Sequence, residues 1–349
     1  MRKAFREQYG SKLFALIIII MMITIVYPTI ITNAKNPSQL SAYDDDWNDI
    51  SNFAADIDEE QNGNHEMKTI VSRPAIINKI SEIEKNTTTK TIQINSTVLV
   101  IIGVERSYSE FDSKAIYDFV KSGGKVIIAD DSGYGNSAFY GEMGTLEIGV
   151  KLRTNIVQEG CQPTQGTGLV AGAIDALGYD GSGSSSPKCK PALLYDSNHW
   201  EDPNHPKNNS IAIIDADVPR MDFSGQLMMS SPAALTIQSG GAAEGLVWSS
   251  QKAFIDYNQD EIGGKGEGTY REDSTNGVEV VAEANIGNGT VIFISDTSIF
   301  TNEYYDDLDN REFILSMVQY VTGGKKHTLI FDESRHIQSD ILSLVYVQL

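Results

Sequence analysis

TVLVIIGVERSYSEFDSKAIYDFVKSGGKVIIAD, residues 97–130, sets the fold class. Residues 97–103 are a continuous, β-branched apolar run, the pattern of a strand covered on both faces. Ser109-Glu110-Phe111-Asp112 is a capping-box pattern, in which a serine and an acid satisfy backbone N–H groups at a helix start. Phe111, Ala115, Ile116, Phe119 and Val120 then form one apolar stripe, and Gly123-Gly124 supplies a stop that tolerates positive φ. KVIIAD, 125–130, follows as a second buried strand. Strand, capped helix, glycine stop and strand make a βαβ unit, which predicts an α/β fold around a mostly parallel sheet.

The same punctuation returns near the end of the chain. VEVVAEA, 278–284, turns through Asn288-Gly289 into TVIFISD, 290–296, as a hairpin. After a polar loop, Asp309 and Glu312 form the acidic version of a capping box. Phe313, Ile314, Met317, Val318, Tyr320 and Val321 give a broad apolar face, closed by Gly323-Gly324. Upstream, Trp47, Ile50, Phe53, Ala54 and Ile57 recur at helical spacing within 44–60. HEMKTIVS, 65–72, reads as a short strand, and Pro74 opens a helix through Lys85. Between the two units, about 151–275, Gly/Ser-rich linkers alternate with short strand candidates (ALLYD, SIAIID, QLMMS, AALTI, GLVWS, KAFID), which predicts a β-rich insert.

Charge and the N-terminus fix the compartment. The chain of 349 residues carries 27 basic against 47 acidic side chains. Four of the basic ones (Arg2, Lys3, Arg6, Lys12) lie in the first dozen residues, so the body beyond is more acidic still. Such a body repels phosphate backbones, which argues against nucleic-acid binding. LFALIIIIMMITIVYPTIIT, residues 13–32, is uncharged and long enough to cross a bilayer. Basic residues before it and acidic ones after it predict a single-pass protein of the cell membrane, N-terminus cytoplasmic and body extracytoplasmic. Thr32-Asn33-Ala34 also fits a signal-peptidase site, but the length of the run favours a retained anchor. The expected order is a cytoplasmic N-terminus (1–12), an anchor (13–32), a tether (33–42), an α/β domain (43–336) and a tail (337–349).

Several polar groups are candidates for function. Asp130, Asp131 and Ser132 leave one strand, and Asp296, Ser298 and Asn302 leave another, at the carboxyl ends where open α/β sheets place ligands. They form a candidate ligand or partner crevice. No activated nucleophile is evident, because G-x-S-x-G is absent around Ser132. Asp309 reads as a helix N-cap, and Asp296, Ser298 and Asn302 as turn formers. Asp256, Asn258, Asp260 and Glu267 have the spacing of an EF-hand-type calcium loop, although Glu261 stands where that loop wants glycine. In an exported body, Cys161 and Cys189 are expected to form a disulfide across the insert. N-x-[ST] sequons begin at Asn86, Asn95, Asn208 and Asn288. Asp332, Glu333, Arg335 and His336, after a strand-like run, read as an ion-pair network or a docking edge.

The strings KVIIADDSGYG, ISDTSIFTN and FDESRH, with Asp46-Trp47-Asn48-Asp49 ahead of them, resemble an uncharacterised prokaryotic, archaeal-type membrane-anchored family. Its domain is class I glutamine-amidotransferase-like. Related domains occur in auxiliary subunits of gliding-motility-type ABC transporters and in intraflagellar-transport scaffolds. The resemblance spans most of 43–336 and is poor across the insert. It implies a flavodoxin-like three-layer sandwich, a second membrane helix after the Asp-Glu-x-x-His string, for which 337–349 is too short, and AAA-type ATPase systems as a partner class. It does not imply amidotransferase chemistry, which needs a cysteine in a strand-to-helix elbow. Here that elbow holds Asp131 and Ser132. The expectation is a non-catalytic binding, scaffold or sensor domain of a cell-envelope complex. The alternative is a hydrolase or metal-dependent enzyme using Asp130, Ser132 and Asp296.

Overall fold

The structure, a computed structural model, describes residues 39–43, 45–71, 79–80, 82–83, 90–139, 148–158, 211–238, 241–249, 253–256, 268–269 and 277–336. In chain order these hold α1 (Ser51–Ile57), β1 (Glu66–Ile70), α2 (Lys90–Asn95), β2 (Thr97–Ile102), α3 (Glu110–Lys121), β3 (Lys125–Ala129) and β4 (Val150–Gln158). Then come β5 (Ile211–Val218), β6 (Phe223–Ser230), β7 (Ala233–Ile237), β8 (Ala243–Trp248), β9 (Phe254–Asp256) and β10 (Gly268–Thr269). The last elements are β11 (Glu279–Ile286), β12 (Gly289–Ile294), α4 (Asn310–Thr322) and β13 (Thr328–Asp332). The anchor run, the helix opened by Pro74 (save a few of its residues), ALLYD and both cysteines lie outside the described residues.

The fold is mixed α/β with a mostly parallel central sheet. Strand order is β1-β13-β2-β3-β12-β11-β8. The first five strands pair in parallel, and β11 and β8 add an antiparallel edge. Every residue of β2 is buried, because alternate side chains enter two separate cores. Val98, Val100 and Ile102 join one core with Phe53 of α1 and Phe313, Met317 and Val318 of α4. Leu99 and Ile101 join the other with Ile116, Phe119 and Val120 of α3. Each such side chain contributes about 1.5–3 kcal/mol by leaving water, which is why the strands read as unbroken apolar runs.

The α3 capping box forms as its sequence indicates, Ser109 and Asp112 exchanging hydrogen bonds at the helix start. Three local expectations are corrected. Phe111 is 77% exposed and faces away from the sheet, so the stripe begins one turn later. The β11–β12 turn is Gly287-Asn288, one residue earlier than expected, with Gly287 supplying the φ of +60°. Asp309 stands at the start of α4 without capping it, since its carboxylate accepts from the Gln226 N–H of β6 instead.

The insert both extends the sheet and stands apart from it. β8 pairs with β11, β5 and β6 form a hairpin, and β10-β9-β4-β7 make a further sheet. β4 has no counterpart among the strand candidates of the sequence, because Lys151, Arg153, Thr154 and Asn155 dilute its apolar signal.

Candidate functional site

The crevice between β3 and β12 follows from topology. These neighbours are parallel, in register from Thr290↔Lys125 to Ile294↔Ala129. Beyond them the chain departs toward opposite faces. After β3, Ala138 and Phe139 enter the α3 core, whereas after β12, Ile299 and Phe300 enter the α4 core. The carboxyl ends thus bring Asp130, Asp131 and Asp296 together at the expected cleft position, where Asp130 and Asp296 are fully buried.

Each acid at a strand end is tied into a turn by a serine two residues on. Ser298 donates to Asp296 from its N–H (2.8 Å) and its hydroxyl (2.7 Å). Ser132 does the same toward Asp130, 3.4 Å from the N–H and 2.6 Å from the hydroxyl. A third copy ends β13, where the Ser334 N–H (3.0 Å) and hydroxyl both donate to Asp332. These are Asx-type turns, which let the backbone reverse while its buried donors stay paired. Gly135 completes the Asp130 turn by donating its N–H at 2.8 Å.

Electrostatically the cleft is strained. Burial pushes the Asp130 and Asp131 carboxyls up, and for Asp131 the neighbouring Asp130 charge adds to it. Asp296 is fully buried. Desolvation, then the charge of Asp131, raise it to about 7 in spite of the Ser298 and Ser230 donors. The Thr297 hydroxyl reaches Asp131 at 3.3 Å, a contact absent from the sequence reading.

The rest of the 295–310 loop is structural. Ser298, Asp309 and Asn310 accept the N–H groups of Ser230, Gln226 and Met228, alternate residues along the outer edge of β6. The Asn310 amide also donates to the Met228 and Tyr304 carbonyls. Asn302 does not enter the cleft. Its side-chain oxygen accepts the Asn52 N–H at 2.9 Å, capping α1, whose own N-cap residue, Ile50, lacks a capping side chain. The Asn302 and Glu303 N–H groups bond the Asp49 and Trp47 carbonyls, so the Asp-Trp-Asn-Asp segment is laced onto the loop.

The quartet at 332–336 is an internal network and not a docking edge, since all four residues are at most 5% exposed. Arg335 pairs with Asp112 at 2.9 Å and stacks over the Tyr108 ring, whose hydroxyl donates to Asp332 at 2.6 Å. Glu333 accepts the Ala42 N–H at 2.8 Å and lies 3.2 Å from the His336 ring. Burial alone would lower the imidazole of His336, but Glu333 and the Ile102 carbonyl outweigh it and push it up to about 9. Tyr108 and Asp112, two members of this network, carry no mark in the sequence beyond a capping pattern.

Of the calcium loop, only Asp256 falls among the described residues, at the end of β9. Asn258, Asp260 and Glu267 lie outside them, as do Cys161 and Cys189. Among the described residues no group of three or more His, Cys, Asp or Glu is arranged to hold a metal.

No protein-family model matches the chain, and no curated protein matches it. Among solved structures, the mmIFT52 N-terminal domain aligns over 71% of this chain and 92% of its own, at 12% identity and a TM-score of 0.40. A beta-galactosidase from Bacillus circulans sp. alkalophilus aligns over 66% of this chain and 23% of its own, at 12% identity and a TM-score of 0.31. A beta-galactosidase from Rahnella sp. R3 gives 66% and 22%, at 12% identity and a TM-score of 0.28.

Two outcomes follow from this geometry. Asp296, with an ordinary value of 3.8, and His336, with one of 6.5, both hold protons more tightly folded than unfolded. Stability should therefore fall as pH rises, through about 7 for Asp296 and through about 9 for His336. Urea unfolding should show one decline between pH 3.8 and about 7 and a second between 6.5 and about 9, and Asp296→Asn should abolish the lower one. Arg335→Ala should cost about 3–5 kcal/mol in the same assay, because it leaves the buried Asp112 carboxylate without its ion-pair partner.

Proposed function

We propose that the protein is a non-catalytic, membrane-anchored domain, exported to the outer side of the cell membrane, that acts by binding within a cell-envelope complex. The proposal takes residues 13–32 as the anchor. It takes the α/β domain as the flavodoxin-like, glutamine-amidotransferase-like three-layer sandwich of the membrane-anchored family that the chain resembles. AAA-type ATPase systems are the partner class that this family relationship suggests.

One observation carries the non-catalytic reading. The Asp-x-Ser arrangement that would resemble an activated hydroxyl at Ser132 or Ser298 recurs at Ser334, which is 1% exposed and closed to any substrate. An arrangement used at three strand ends, one of them sealed, is a way of ending strands. Each hydroxyl is also spoken for. Ser298 accepts the Ser230 N–H, and Ser132 accepts the Tyr134 N–H at 3.2 Å. Among the described residues, no histidine hydrogen-bonds Ser132 or Ser298 to take its proton.

The enzymatic alternative draws support from the raised acids of the crevice, since perturbed carboxyls gather at active sites. A fluorophosphonate probe separates the two readings. The binding domain should stay unlabelled, whereas labelling lost in Ser132→Ala would establish a reactive serine. Calcium at 256–267 acts in this proposal as a stabiliser of the insert. Millimolar calcium should raise the unfolding temperature of the native chain and leave that of Asp256→Ala unchanged; no shift in the native chain removes the ion from the proposal.

A further inference from the structure

Large apolar side chains exposed on the described body gather at one end of it. They are Tyr43 (68% exposed), Val71, Phe111 (77%), Tyr134 (51%) and Leu308. Val71 directly follows β1, and the Tyr43 hydroxyl bonds Thr69 within β1. Phe111 lies in the first turn of α3, after β2, and Tyr134 opens the 3-10 turn after β3. Leu308 precedes α4, after β12. All five therefore sit at the carboxyl ends of the parallel strands. Single exposed apolar residues are ordinary on a protein surface; their confinement to one end is not.

The path of the chain supplies a second, independent observation. Leu40 packs over Gly103, just beyond β2, where any Cβ on the glycine would fall 2.0 Å from its Cδ1. Ala42 bonds Glu333, just beyond β13. The body thus begins at the carboxyl edge, and it leaves the described structure there too, at His336, ahead of the apolar stretch ILSLVYVQL, 341–349. In the sequence, only residues 33–38 separate this start of the body from the apolar run at 13–32.

We infer that the carboxyl edge of the sheet is the membrane-facing surface of the domain, with Tyr43, Phe111 and Tyr134 seated at the lipid headgroup interface. This rests on the reading of 13–32 as an anchor. Aromatic side chains suit that interface because they pair an apolar body with a polarisable or hydrogen-bonding rim. Asp45, Asp46, Glu110 and Asp306 are exposed at the same end. They exclude attraction to anionic headgroups, so the contact is one of aromatic insertion into a zwitterionic or weakly charged surface.

The test uses the full chain reconstituted in phosphatidylcholine vesicles carrying acyl chains brominated close to the headgroup. Tryptophan is introduced by Phe111→Trp or Tyr134→Trp, both at exposed sites, and by Lys325→Trp at the opposite end as the control. Flotation of the vesicles reads the anchor, and quenching of the emission each substitution adds reads the surface. Co-flotation with loss of most of the added emission at 111 and 134, but not at 325, supports the inference. Co-flotation with no quenching, or with equal quenching at all three sites, overturns it while the anchor reading stands. A chain that does not float overturns both.

Discussion

A parallel sheet covered on both faces must end its strands somewhere dry, and backbone N–H and C=O groups left unpaired there cost about as much as the hydrogen bonds they forgo. In this chain the requirement falls on β3, β12 and β13. It is met three times by the same device, an aspartate at the strand end accepting from the amide and hydroxyl of the serine two residues on. The connections that build both cores start from these turns. The acid cluster of the crevice is a by-product of two of them: Asp130 and Asp131 after β3 and Asp296 after β12 come close because those two strands are neighbours.

Long-range pairing then closes what the turns leave open. Asn302 caps a helix about 250 positions earlier in the chain, and Glu333 holds the amide of Ala42. Arg335 balances Asp112, which is itself half of the α3 capping box. Beginning and end of the domain are therefore fastened to each other at the carboxyl edge. The motif strings that stand out in the sequence are the fasteners.

How much of this was legible depends on how local the cause is. The βαβ unit at 97–130 could be read residue by residue, because apolar run, capping box and glycine stop each act over a few positions. Phe111 misled, since helical spacing says which residues share a face but not where that face meets the sheet. Asp309 misled for the opposite reason. Its position is that of a cap, yet β6 offered its carboxylate a better donor from the insert, whose placement no local pattern announces. The crevice acids were legible as strand ends, and the recurrence of Asp-x-Ser at 130, 296 and 332 was in plain view. The capping role of Asn302 was not, because a helix capped from elsewhere leaves an uninformative Ile50 at its own start.

The side chains laid along the outer edge of β6 have one more effect. A strand whose alternate amides are free is a template on which another chain can add itself, and proteins guard such edges. Here Ser298, Asp309 and Asn310 occupy those amides with groups that cannot extend into a ladder. That edge of the hairpin is thus shielded from recruiting a sister molecule by strand addition.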